Sequence, residues 1–201
     1  MYQAKANPAV DRIRDGVAGN ARLTGAVAAA LLVLLAAEGA TIPFIGSLIE
    51  PHILIGMLLI PPVVLKLGST GYRFIRYYAG SPRYVRRGQP ALWLRLLAPG
   101  VILTTVALFG TGVALLLAGP PSSTLVFAHK LSFFAWVGLI SLHILSHLLE
   151  LPRLATADWR RNASGEAKLE GAGARIAVLG LSILAGACLA LLSISAAESW
   201  L

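Results

Sequence analysis

The sequence predicts an all-α integral membrane protein, with five transmembrane helices in a single domain over residues 1–201. Three observations predict this class. Only 13% of the chain is charged and 57% is hydrophobic, whereas a soluble domain is about a quarter charged. The apolar residues gather into five runs near the roughly 20 residues that a bilayer core of about 30 Å requires. The basic residues fall on one side of those runs.

The first run, Leu23 to about Ile45, is the weakest, because Glu38 interrupts it. The second begins at His52 and reaches at least Leu67, and Pro61 and Pro62 are expected to kink it. The third spans Leu96 to Ala118, the fourth Thr124 to about Leu149, and the fifth Ile176 to Ala197. Gly and Pro within such runs do not exclude helices, since packed neighbours satisfy the freed backbone groups. Short connections are expected at about Gly46 to Pro51 and at "GPPSS", Gly119 to Ser123. The stretch "STGYRFIRYYAGSPRYVRRGQPALWLR" mixes Arg with Tyr and Trp, which suits a headgroup interface. Its first part can extend the second helix past the bilayer, with "SPRY" and "GQPA" as turns. The polar, Gly-rich "ATADWRRNASGEAKLEGAGAR" reads as a flexible loop, and its sequon at Asn162 would face the cytoplasm.

Charge placement sets the orientation. Four basic residues precede the first run, seven lie in Lys66–Arg95, and five in Leu151–Arg175. Of the seventeen, Lys130 alone lies on the other side. The positive-inside rule then puts the N-terminus in the cytoplasm and the C-terminus outside, in a multi-pass protein of a bacterial-type plasma membrane. The net charge of +8 is divided over three inner segments, which fits anionic lipid headgroups better than nucleic acid. The charged N-terminal stretch has no small-residue cleavage site before the first run, so that helix should be retained. The one cysteine, Cys188, lies in the fifth run; no CxxC or CxxCH motif offers a zinc site or covalent haem.

Four histidines fall in two of these apolar segments. Polar side chains inside a bilayer are costly and are usually functional. At 100° per residue, His129, Phe133, Trp136, Ile140, His143 and His147 share one stripe of the fourth helix. His52, Gly56, Leu59, Val63 and Lys66 share one stripe of the second. His143 follows His129 by 14 residues, and Lys66 follows His52 by the same 14, a rise of about 21 Å. The second and fourth helices run in the same direction, so His52 and His129 lie at similar depth. Two imidazoles facing each other there can take the axial positions of a haem iron. Gly56 would make room for the porphyrin, Phe133 would pack on it, and Lys130 would pair with a propionate.

In this pattern the chain resembles the transmembrane b-type cytochromes. Their di-haem members carry two histidines on each of the second and fourth helices, spaced as His129 and His143 are. The resemblance implies a haem-binding helical bundle, here four helices plus one. It matches His52, His129 and His143, and departs at Lys66, where the fourth histidine should stand. One haem b, or two, is therefore implied. The second would be ligated by His143 alone, by His143 with His147, or by His143 with Lys66, and Arg73 and Arg76 would receive its propionates. The implied role is electron transfer between a redox partner protein and quinone, or across the membrane, as a component of an oxidoreductase. Membership of a membrane complex or a homo-oligomer fits the same role. No GxGxxG motif provides a nucleotide site, so a separate redox partner is expected.

Two other readings compete. "HILSHLLE" places His143, His147 and Glu150 on one helical face, a spacing that suits zinc or iron. It leaves His52 unexplained. A structural or transport subunit would use the histidines as hydrogen-bonding groups between helices.

Overall fold

A computed structural model describes residues 8–86, 88, 91–120, 123–156 and 171–201. The middle of "GQPA", part of "GPPSS", and most of the polar loop with Asn162 lie outside the described residues, as do residues 1–7. Every regular element among the described residues is helical. The long helices are α1 (Pro8–Thr41), α2 (Ile45–Tyr78), α4 (Leu92–Ala118), α5 (Ser123–His147) and α7 (Ala172–Leu192). The short ones are α3 (Pro82–Val85), α6 (Leu151–Ala155) and α8 (Ile194–Glu198). Four helical stretches are long and apolar enough to cross a membrane: Gly16–Tyr78, Leu92–Ala118, Ser123–His147 and Ala172–Leu192.

The first of these stretches is 63 residues long and folds back on itself. A single 3₁₀ turn, Ile42–Phe44, joins α1 to α2. Pro43 within it has no N–H to continue a helix. Side-chain bonds then pair the start of α1 with the end of α2. Asn20 Nδ2 donates to the Ser69 carbonyl (3.2 Å), and Lys66 Nζ donates to the Thr24 carbonyl (2.9 Å). Next to the turn, Thr41 meets His52. The two helices are therefore antiparallel.

Several boundaries differ from the sequence expectation. The connection expected at Gly46–Pro51 is helical, because the reversal is completed by residue 44. The break in α2 falls at Leu48 (φ −118°, ψ 24°) rather than at Pro61 and Pro62. Pro51 accounts for it, since a proline ring presses on the turn preceding it. As expected, α2 continues past Lys66, to Tyr78. Its 34 residues measure about 51 Å, so one end projects well beyond a core of about 30 Å. Gly80, at φ +73°, ends it, with Ser81 N–H donating back to the Arg76 carbonyl (3.0 Å). "SPRY" forms the short helix α3 rather than a bare turn. At the projecting end, Arg95 Nη2 donates to the Tyr78 hydroxyl (2.6 Å), which ties the start of α4 to α2.

The core is small. Val27 and Leu31 of α1 and Leu59 of α2 are buried together, flanked by Phe109 of α4 and Leu179 of α7. Large apolar side chains such as Leu103, Leu117, Leu131 and Leu181 point outward, which suits lipid as the surrounding solvent. Close approach of helix backbones holds such a bundle together. Gly186 of α7 lies directly on the Leu58 carbonyl of α2, and Gly25 of α1 lies against Leu154 of α6.

Candidate functional site

The turn between α1 and α2 puts Glu38 and Thr41 of α1 beside His52 of α2. The Thr41 hydroxyl donates to the Glu38 backbone carbonyl (2.6 Å) and lies 2.8 Å from His52 Nδ1. A hydroxyl has one proton to give. With that proton on the carbonyl, Thr41 Oγ1 is free to accept from an Nδ1–H, as is Glu38 Oε1, 3.1 Å from the same nitrogen. In the tautomer that satisfies both contacts, the lone pair is on Nε2.

His129 of α5 is prepared in the same way by α4. The Thr111 hydroxyl donates into its own helix, to the carbonyls of Ala107 (2.7 Å) and Leu108 (3.0 Å). Its oxygen, 3.1 Å from His129 Nδ1, then accepts. Gly112 leaves room for this ring, since a Cβ there would stand 3.3 Å from His129 Cε1. Each of two helix pairs thus places a threonine hydroxyl at a histidine Nδ1, an arrangement that leaves Nε2 available as a ligand when Nδ1 holds the proton.

The two rings face each other, with centroids 6.4 Å apart and planes at 87°. Two imidazoles bonded head-on to one metal at about 2 Å each, with each ring centre roughly 1 Å behind its nitrogen, would put the centroids about 6 Å apart. His52 and His129 are thus close neighbours. A cleft of about 400 Å³ opens between α1 and α5, lined in part by Leu32, Leu35 and Gly39 on one side and Phe133, Trp136 and Ile140 on the other, with neither His52 nor His129 in its lining. That volume lies in the usual range for small-molecule and cofactor sites. Trp136 is buried and donates to Thr105 Oγ1 of α4 (3.0 Å), which anchors that wall.

The two stripes read from the sequence bring their rings together at the His52 end, and at the other end Lys66 lies within electrostatic reach of the α5 histidines. Further along α2, Leu59 packs on Val27 and Leu31 of α1, and the Lys66 ammonium is bonded to Thr24 of α1. Gly56 faces Glu38, whose Oε1 would lie 3.5 Å from a Cβ there. At the other end of α5, His143 and His147 stack with centroids 5.0 Å apart, and Lys66 is within electrostatic reach of both. Arg73 reaches His147 electrostatically, Arg76 Nη2 lies 3.4 Å from Ser81 Oγ, and Lys130 is exposed. No three His, Cys, Asp or Glu side chains gather to hold a metal ion among the described residues. The His143/His147/Glu150 arrangement needed for a zinc or iron enzyme is thus not assembled. A haem asks less of the protein, because the porphyrin supplies four of six ligands and two histidines complete the set.

Sequence reasoning missed Glu38, Thr41 and Thr111. Glu38 offered one signal, as the charge inside an apolar run. The threonines offered none, since their role depends on which neighbouring helix they face. The chain matches no known family model, no curated protein and no solved structure.

Proposed function

We propose that this chain is a membrane-embedded b-type cytochrome that holds one haem b between His52 and His129. The observation that carries the reading is the pair of imidazoles, 6.4 Å apart, each with a threonine hydroxyl at its Nδ1. A structural role for either histidine would not require two imidazoles from different helices to meet at this spacing with both Nδ1 atoms engaged. Bound there, haem supplies a one-electron couple. Phe133, one turn along α5 from His129, would pack on the macrocycle, and the apolar cleft between α1 and α5 would lie along the same helices. The electrons would be exchanged with a redox partner protein or with quinone.

We read one haem rather than two on account of Lys66. Its ammonium donates to the Thr24 carbonyl on α1, and as a cation within electrostatic reach of His143 it has no lone pair to offer an iron there. We further read the folded-back stretch Gly16–Tyr78 as two spans. This makes five in all, with the basic ends of the helices in the cytoplasm of a bacterial-type cell.

The test is the pigment of the protein purified in detergent. One haem per chain and a low-spin spectrum that sharpens on reduction are expected. The double variant His143→Ala/His147→Ala should keep that content; a fall to half would mean that two haems are bound. Absence of a low-spin spectrum, even after haemin is added to the purified wild type, would end the cytochrome reading.

Gly112 gives a second check. In Gly112→Val the new side chain would press on the His129 ring, and haem per chain should fall several-fold, since displacement by a few tenths of an ångström strains a bond of fixed length. Gly110 faces open space, so Gly110→Val should leave the spectrum unchanged. Equal haem content in the two variants would show that the His129 ring is not held where haem needs it.

A further inference from the structure

Glu38 is the only acid between Gly16 and Thr41, and its position is expensive. Its carboxyl is largely covered, with 16% side-chain exposure, and Oε2 is buried with no hydrogen-bond partner. A buried polar atom left unpaired is destabilising, and packing alone would be better served by an apolar side chain. The other oxygen is placed with care. Oε1 lies 3.1 Å from His52 Nδ1 and beside Gly56 of α2. His129 has no carboxyl partner: its Nδ1 meets the Thr111 hydroxyl, and the ring also hydrogen-bonds the Leu108 backbone carbonyl. The two imidazoles are thus supported unequally, one by a hydroxyl and a carboxyl, the other by a hydroxyl and a neutral backbone carbonyl.

We infer that Glu38 is the positioning residue that sets the redox potential of the haem, acting through His52. The inference rests on the cytochrome reading above. An acceptor on the far nitrogen of a metal-bound imidazole fixes the ring's orientation and makes the ligating nitrogen a stronger donor. A stronger donor stabilises the oxidised iron more than the reduced, so Glu38 holds the midpoint potential down. Thr41 shares the same Nδ1–H and keeps the tautomer when Glu38 is changed.

The experiment compares wild type, Glu38→Gln, Glu38→Ala and Thr41→Val, each purified in detergent. Haem per chain, the low-spin electron paramagnetic resonance spectrum and a reductive titration are measured for each. Glu38→Gln keeps the shape of the side chain and replaces the carboxyl by a weaker acceptor. It is expected to retain haem and low-spin character while the midpoint rises. At the wild-type midpoint, the ratio of reduced to oxidised haem should increase at least about tenfold, which is about 59 mV for a one-electron couple. Glu38→Ala should rise further, and Thr41→Val, which keeps the carboxyl, should move less than either. Full haem content with an unchanged midpoint in Glu38→Gln and Glu38→Ala would overturn the inference. So would a Thr41→Val shift equal to that of Glu38→Gln. If Glu38→Ala fails to fold, the near-isosteric Gln variant decides. A wild type that takes up no haem is recognised before any variant is compared, and it defeats the cytochrome reading and this inference together.

Discussion

His52→Ala and His129→Ala are each expected to strip the purified protein of most of its haem. Each histidine supplies one of the two axial bonds. Losing such a bond costs more than the roughly 1.4 kcal/mol that a factor of ten represents, so affinity should fall at least about tenfold in either variant. The remaining haem should be five-coordinate and high-spin. His52→Gly and His129→Gly carry the argument further, because each leaves a space shaped for an imidazole. Added imidazole should enter that space and restore the low-spin spectrum, since the opposite histidine is still held by its own threonine, Thr111 for His129 and Thr41 for His52. His143→Ala, on the same stripe but at the other end of α5, should need no rescue. A normal six-coordinate low-spin spectrum in both alanine variants would remove the assignment of the ligands.

The fold class was legible because lipid-facing helices must be apolar over a fixed length, and α4, α5 and α7 begin and end within a few residues of the runs that announced them. The extension of α1 back to Pro8 was not legible, because polarity marks where a helix leaves the bilayer and not where it stops being helical. The same reason hid the helical start of α2, where the expected connection at Gly46–Pro51 is part of the helix. Periodicity correctly grouped His52 with Leu59 and Lys66 on one face. It did not say that α1 would cover most of that face, since a stripe identifies which side chains point together and leaves their neighbours unnamed. The histidine pair was legible from depth alone: both residues open their apolar runs on the same side. Glu38, Thr41 and Thr111 came from the helices adjoining those two, and only tertiary structure could assign them.

The site also depends on a contact far from any histidine. Gly186 of α7 packs so closely on α2 that a Cβ there would lie on the Leu58 carbonyl, 3.0 Å from its carbon and 3.1 Å from Leu58 Cδ1. Replacing a helical glycine with alanine normally gains about 1 kcal/mol in helix propensity. Here the obstacle is backbone, held in place by the hydrogen bonds of α2, and overpacking of this kind costs about 1–3 kcal/mol or more. The collision should win in Gly186→Ala and should grow in Gly186→Val, whose branched side chain cannot rotate clear. Leu58 stands six residues from His52, about 9 Å along α2. Any outward shift of α2 at Leu58 is therefore transmitted to His52 and widens its gap to His129. The expected result for Gly186→Val is a lower melting temperature in detergent and a fall in haem per chain, both measured on one preparation through the Soret absorbance during heating. Gly180 on the same helix faces open space, and Gly180→Val should change neither. If Gly186→Val melts and binds haem as the wild type does, α7 does not brace α2 at this point, and the spacing of the two histidines must be set by α1 and α4 alone.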